Sequence, residues 1–112
     1  MGIAIMSCRK LINKCTGTGC FRAYYENIDS FSIYKEKNDI LMSFFYCIGC
    51  KETVYEDENW KHKIKQLKNS GVDTIHIARC IEVECDDYSK HEKVLIKEGL
   101  NVVKGTHKLI KY

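Results

Sequence analysis

The chain contains no proline at all and only one tryptophan. Without proline there is no cis-Pro, so a thioredoxin-type arrangement, which sets a cis-Pro against its redox cysteines, is excluded. Long apolar runs are missing too. The longest, Gly2–Met6 and Ile40–Tyr46, fall far short of the roughly 20 residues a membrane span needs. No basic stretch precedes the first of them, so neither a secretory leader nor a membrane anchor is expected, and a cytoplasmic location is. Charge of one sign is not in excess either: 18 basic residues against 15 acidic ones leave a formal net charge of +3. The lysines read as scattered along the chain, which gives no basic stripe and no expectation of nucleic-acid binding.

What is present in abundance is cysteine, seven in 112 residues. The odd count and the lack of a leader argue against an extracellular disulfide scaffold. The chain is also long enough to bury a core without cross-links. In a reducing compartment such thiols bind metal or carry redox chemistry.

Gly2–Ser7 (GIAIMS) reads as a buried strand, and Ile40–Tyr46 (ILMSFFY) as a second. Between them Phe21, Tyr24, Tyr25 and Ile28 fall at i, i+3, i+4 and i+7, the spacing of one helical face. A helix is expected from about Glu56 to Asn69, with Trp60, Ile64 and Leu67 inward and Ser70-Gly71 as its stop. Val72–Ala78 is a third strand. Ser89 and Glu92 have capping-box spacing for a helix that Gly99 ends, and Leu100–Val103 begins a fourth strand. Helices alternating with apolar strands imply βαβ crossovers. The expected fold is a single α/β domain over residues 1–112. It is a three-layer sandwich of about four mainly parallel strands in the order 2-1-3-4, with helices on both faces.

On that outline the cysteines take a pattern. Cys8 follows strand one, Cys47 and Cys50 follow strand two, Cys80 and Cys85 follow strand three, and His107 follows strand four. The Cys15–Cys20 segment also leaves strand one. In an open parallel sheet these loops all emerge on one edge, where ligands bind. Cys47-Ile48-Gly49-Cys50 turns two sulfurs toward one point, with Gly49 allowing the backbone angles of a metal knuckle. Gly17 and Gly19, between Cys15 and Cys20, would let backbone amides approach a sulfur-bound centre. Arg22 stands where a dinucleotide fingerprint has its third glycine, and no Gly-Lys-Ser/Thr follows, which rejects a phosphate loop. Of the histidines, His62 and His91 read as surface helix residues. His76 divides evenly between a buried structural role and a site role, and His107 is the best-placed candidate ligand or proton donor.

These residues resemble the CGGC domain proteins of bacteria and archaea. The resemblance rests on the Gly2–Met6 strand leading to Cys8, the segment Cys15–Ala23, Phe44–Cys50, Gly71–Cys80 and the closing Gly105-Thr106-His107. Ile48 stands at the first Gly of the Cys-Gly-Gly-Cys core. Lys51 stands where the family often has Pro, and Cys85-Asp86-Asp87 where it often has Cys-Pro-His. The resemblance implies metal binding, with zinc the usual inference, and assigns no reaction.

The expected function is therefore metal binding at the C-terminal edge of the sheet. The ligand pool is Cys8, Cys15, Cys20, Cys47, Cys50, Cys80 and His107, with Gly17, Gly19 and Gly49 beside it. A surplus of thiols over the four a structural zinc requires favours an iron–sulfur centre, with zinc as the alternative. The role would be electron transfer, sensing or cluster handling, with a redox partner protein. The competing expectation is a thiol–disulfide oxidoreductase, in which a partly exposed Cys47 attacks as thiolate and Cys50 resolves.

Overall fold

The computed structural model describes residues 2–9, 13–34, 39–47, 56–84 and 88–106. Its centre is strand β1 (Gly2–Ser7), every residue of which is buried. β1 lies between β2 (Ile40–Tyr46) and β3 (Val72–Ile77), and β4 (Asn101–Lys104) joins the far side of β3. All three pairings are parallel and the order is β2-β1-β3-β4, as expected from the sequence.

Alternation along β1 serves two layers. Ile3 and Ile5 face a cluster with Cys20 and Ala23 of helix α1 (Thr18–Glu26) and with Phe31 and Tyr34 of a 3-10 turn (Asp29–Tyr34). Ala4, Met6 and Cys8 face the other cluster. That one holds Trp60, Ile64 and Leu67 of α2 (Glu58–Asn69), Ile81 of α3 (Arg79–Glu84) and Leu95 of α4 (Tyr88–Lys97). Each fully buried isoleucine contributes about 2 kcal/mol of transfer free energy to this sandwich. The Asp57 side chain caps α2 by accepting the Asn59 amide at 2.7 Å. Gly71 and Gly99 take the left-handed turns that end α2 and α4, with φ of 96° and 85°.

Four local expectations are corrected. The buried face of α1 is Gly19, Cys20 and Ala23, while Tyr25 stays 75% exposed and Ile28, beyond the helix, 41%, because the helix turns Cys20 and Ala23 toward Ile3 and Ile5 of β1. β2 is an edge strand, not a buried one, with Ile40 and Met42 open to solvent and Phe45 its one buried residue. His91 is buried on the inner face of α4 beside Leu95, not on the surface. Ser89 lies inside α4, so it is not that helix's cap. No helix among the described residues is long and apolar enough to cross a membrane.

Candidate functional site

The chain runs from β1 outward to β2, then returns past β1 to β3 and on to β4. The direction of winding therefore reverses between β1 and β3, and in open parallel sheets the carboxyl ends of the strands at such a reversal form the crevice where ligands bind. Backbone bonds beyond the strand ends hold its rim together. The Cys47 amide donates to the Ser7 carbonyl at 2.8 Å, the Ala78 amide to the Met6 carbonyl at 2.9 Å, and the Gly105 amide to the Ile77 carbonyl at 2.8 Å. The segments leaving β2, β3 and β4 are thus pinned side by side.

Cys80, in the first turn of α3, occupies the crevice. Its sulfur accepts the Cys8 amide N–H at 3.3 Å and is bonded to the Ser7 hydroxyl at 3.2 Å. It packs against both core clusters, so it stands between the two helical layers. Cys20, in the first turn of α1, is 3% exposed and donates its S–H to the Thr106 hydroxyl at 3.2 Å. Burial pushes its thiol up to about 11; the Thr106 bond works the other way, and negative charge on Cys15 or Cys80 adds to the rise. Cys15, Cys20 and Cys80 are therefore electrostatic neighbours. The same three thiols, after burial, raise the phenol of Tyr46. Tyr46 ties the Cys15 segment to β2 by donating to the Cys15 carbonyl at 3.1 Å.

Cys47, just past β2, is buried at 6% exposure, against the partial exposure expected of a nucleophile there. Lys63 of α2 reaches its neighbourhood, donating to the Tyr46 carbonyl at 2.9 Å. Burial pulls the Lys63 ammonium down, and Cys47 opposes that shift as a nearby negative charge would. Gly17 is the residue preceding α1, with φ of 79°, and a Cβ there would meet the Phe21 and Phe44 rings at 3.2 and 3.3 Å. Gly19 is buried in the first turn of α1.

His76 is fully buried inside β3, facing the 3-10 turn. A carbonyl can only accept, so Nδ1–H donates to the Gly105 carbonyl at 2.9 Å and Nε2 accepts the Tyr34 hydroxyl at 2.7 Å. Phe31 stacks on the ring with centroids 4.2 Å apart. Burial lowers its pKa, and the Gly105 carbonyl opposes the shift. His76 holds the Gly105-Thr106 turn, and through Thr106 it supports the partner of Cys20.

The crevice thus gathers Cys8, Cys15, Cys20, Cys47 and Cys80 from four segments, and all five are free thiols. Cys50, Gly49, Cys85 and His107 lie outside the described residues. Among the described residues no three Cys, His, Asp or Glu side chains stand close enough to hold a metal ion by themselves. Sequence reasoning passed over Ser7, Thr106 and Lys63. A serine closing an otherwise apolar buried strand was the signal for Ser7, and nothing in the helical lysine pattern set Lys63 apart.

The family model of the CGGC domain matches residues 2–107. The chain belongs to the CGGC domain family. No curated protein and no solved structure matches it. In this CGGC domain the family's naming segment starts at Cys47, on the rim of the crevice, one main-chain bond from Ser7 and hence from the Cys80 sulfur. It is a cysteine-rich α/β domain.

Proposed function

We propose that this CGGC domain binds a thiophilic metal centre in the crevice between β1 and β3. Cys80, Cys20 and Cys15 are its nearest donors, with Cys8, Cys47, Cys50 and His107 completing the pool and Gly17, Gly19 and Gly49 giving backbone access. The observation that carries the reading is the Cys80 sulfur. It sits at the point where the sheet reverses, fixed by an amide N–H and a hydroxyl, with two further thiols in electrostatic reach. Donors of that kind stabilise a metal-bound thiolate and tune its potential.

The donor set fits a soft metal in its chemistry. Thiolates are soft donors, and a bound cation would offset the burial that holds the Cys20 thiol protonated. The described residues do not close a coordination shell by themselves, so the reading requires at least one ligand from Cys50 or His107. Thiol surplus favours iron–sulfur over zinc. Such a centre supplies one-electron chemistry; the chain's residues hold it, donate hydrogen bonds to its sulfurs and limit solvent access. A reducing, cytoplasmic setting and a redox partner protein go with this role. The second reading is a Cys47–Cys50 oxidoreductase. The Lys63 ammonium near Cys47 favours a thiolate there, while the burial of Cys47 counts against attack on a large substrate.

The test is anaerobic purification followed by analysis for iron, sulfide and zinc together with a visible spectrum. Iron with sulfide and broad visible absorption is the expected result, and Cys80→Ser and Cys20→Ser should each lose most of it. Full metal content in both variants would overturn the assignment. Metal-free protein with a reversible Cys47–Cys50 disulfide would establish the oxidoreductase instead.

A further inference from the structure

The fold gathers lysines that the sequence scatters. In α2, Lys61, Lys65 and Lys68 fall at i, i+4 and i+7 on the outer face, and Lys97 of α4 lies across from them. Between the two helices runs an open trough of about 460 Å3. Its floor is apolar, made of the edges of Ile64 and Val94. It spans Trp60 to Asn69 along α2, roughly 14 Å at about 1.5 Å per helical residue.

The charge pattern along this trough is specific. Lys61 pairs with Glu58 at one end at 3.7 Å, and Lys68 pairs with Glu98 at the other at 3.6 Å. Lys65, one turn on from Lys61, and Lys97, beside Glu98 at the end of α4, make no ion pair or hydrogen bond among the described residues. Positive charge without an ion-pair partner thus flanks the apolar floor from both helices, and each end carries a carboxylate. We infer that this trough is a docking site for an acidic, partly apolar peptide segment of a partner protein. The partner's carboxylates meet Lys65 and Lys97, and an apolar side chain rests on Ile64 and Val94.

Two features favour a peptide over a nucleic acid. Single-stranded nucleic acid binds on exposed aromatic faces, and the one tryptophan here is 2% exposed beneath the trough. A uniformly charged phosphate chain would also meet Glu58 and Glu98 at the ends. A compact small ligand needs an enclosing pocket, which an open trough does not provide. The Trp60 end of α2 lies toward the carboxyl edge of the sheet, so a partner seated here has one end near the thiol crevice. The inference does not depend on what that crevice binds.

The test uses the whole chain and fluorescence anisotropy. The probe is a labelled peptide of about five residues alternating glutamate and leucine, whose extended length of roughly 16 Å matches the trough. Its controls are the same peptide with lysine for glutamate and an oligothymidine of similar length. The acidic peptide should bind, and more weakly as salt rises. Lys65→Glu combined with Lys97→Glu should weaken it about tenfold or more and should gain binding of the lysine peptide. Val94→Asp should weaken the acidic peptide with all lysines intact, and far-UV circular dichroism should show both variants folded. No binding of the acidic peptide, equal binding by wild type and the double variant, or tighter binding of the oligothymidine would each overturn the proposal.

Discussion

His76 offers the sharpest quantitative test of how the crevice is held. His76→Phe keeps the aromatic stack on Phe31, whose centroid lies 4.2 Å away, but removes both ring nitrogens. The Tyr34 hydroxyl then loses its acceptor and the Gly105 carbonyl its donor, and both groups are buried. A buried polar group left without a partner costs about 1–3 kcal/mol, so the pair costs roughly 2–6 kcal/mol. That is a large share of the roughly 5–15 kcal/mol by which a domain of this size is stable. Urea unfolding followed by the fluorescence of Trp60, which is 2% exposed, reads the change directly. Adding Tyr34→Phe should restore about half of the loss, since only the carbonyl then lacks a partner. An unfolding free energy for His76→Phe within about 0.5 kcal/mol of wild type would refute the assignment of His76 as the anchor of the Gly105-Thr106 turn.

Three further outcomes follow from the same geometry. Burial holds His76 below its ordinary value of 6.5, so the unfolded chain binds that proton more readily. Stability from this group is therefore complete above pH 6.5 and falls as the pH drops toward the lowered value, and His76→Gln should flatten that part of a pH–stability curve. Cys20, pushed up to about 11, should be the slowest of the described thiols to alkylate near neutral pH by peptide mass mapping; Thr106→Val should slow it further, because the Thr106 bond lowers its pKa. Rapid labelling of Cys20 would contradict this. Gly17→Ala places a side chain at φ of 79° and against two aromatic rings, and should cost about 1–3 kcal/mol in thermal or urea unfolding.

The sheet was legible because its strands are short unbroken apolar runs and because Gly71 and Gly99 mark the ends of the two helices that return the chain. The common edge for Cys8, Cys47 and Cys80 followed from parallel topology alone. Other features depend on three-dimensional packing that no local pattern encodes. The face of α1 went unread because its spacing of large apolar residues reads as the inward stripe, whereas the small residues Gly19, Cys20 and Ala23 are the buried ones. The run Ile40–Tyr46 reads as a buried strand, yet being outermost in the sheet it exposes Ile40 and Met42. The lysine trough was invisible while Lys65 and Lys97 were 32 positions apart in a list of scattered charges. Only the packing of α4 beside α2 makes them neighbours.

The placement of the sulfurs is a consequence of the strands and not of the cysteine motif. Cys8 and Cys47 are held by their own main-chain amides, one bonded to the Cys80 sulfur and the other to the Ser7 carbonyl. Their positions are therefore set by β1 and change little with the side chains around them. Cys80 and Cys20 are held through side chains, each by a hydroxyl, Ser7 in one case and Thr106 in the other. Both hydroxyls are fully buried, so neither exchanges its partner for water. A site built this way keeps its thiols apart from one another and oriented before any ligand arrives, which reduces the ordering cost of binding.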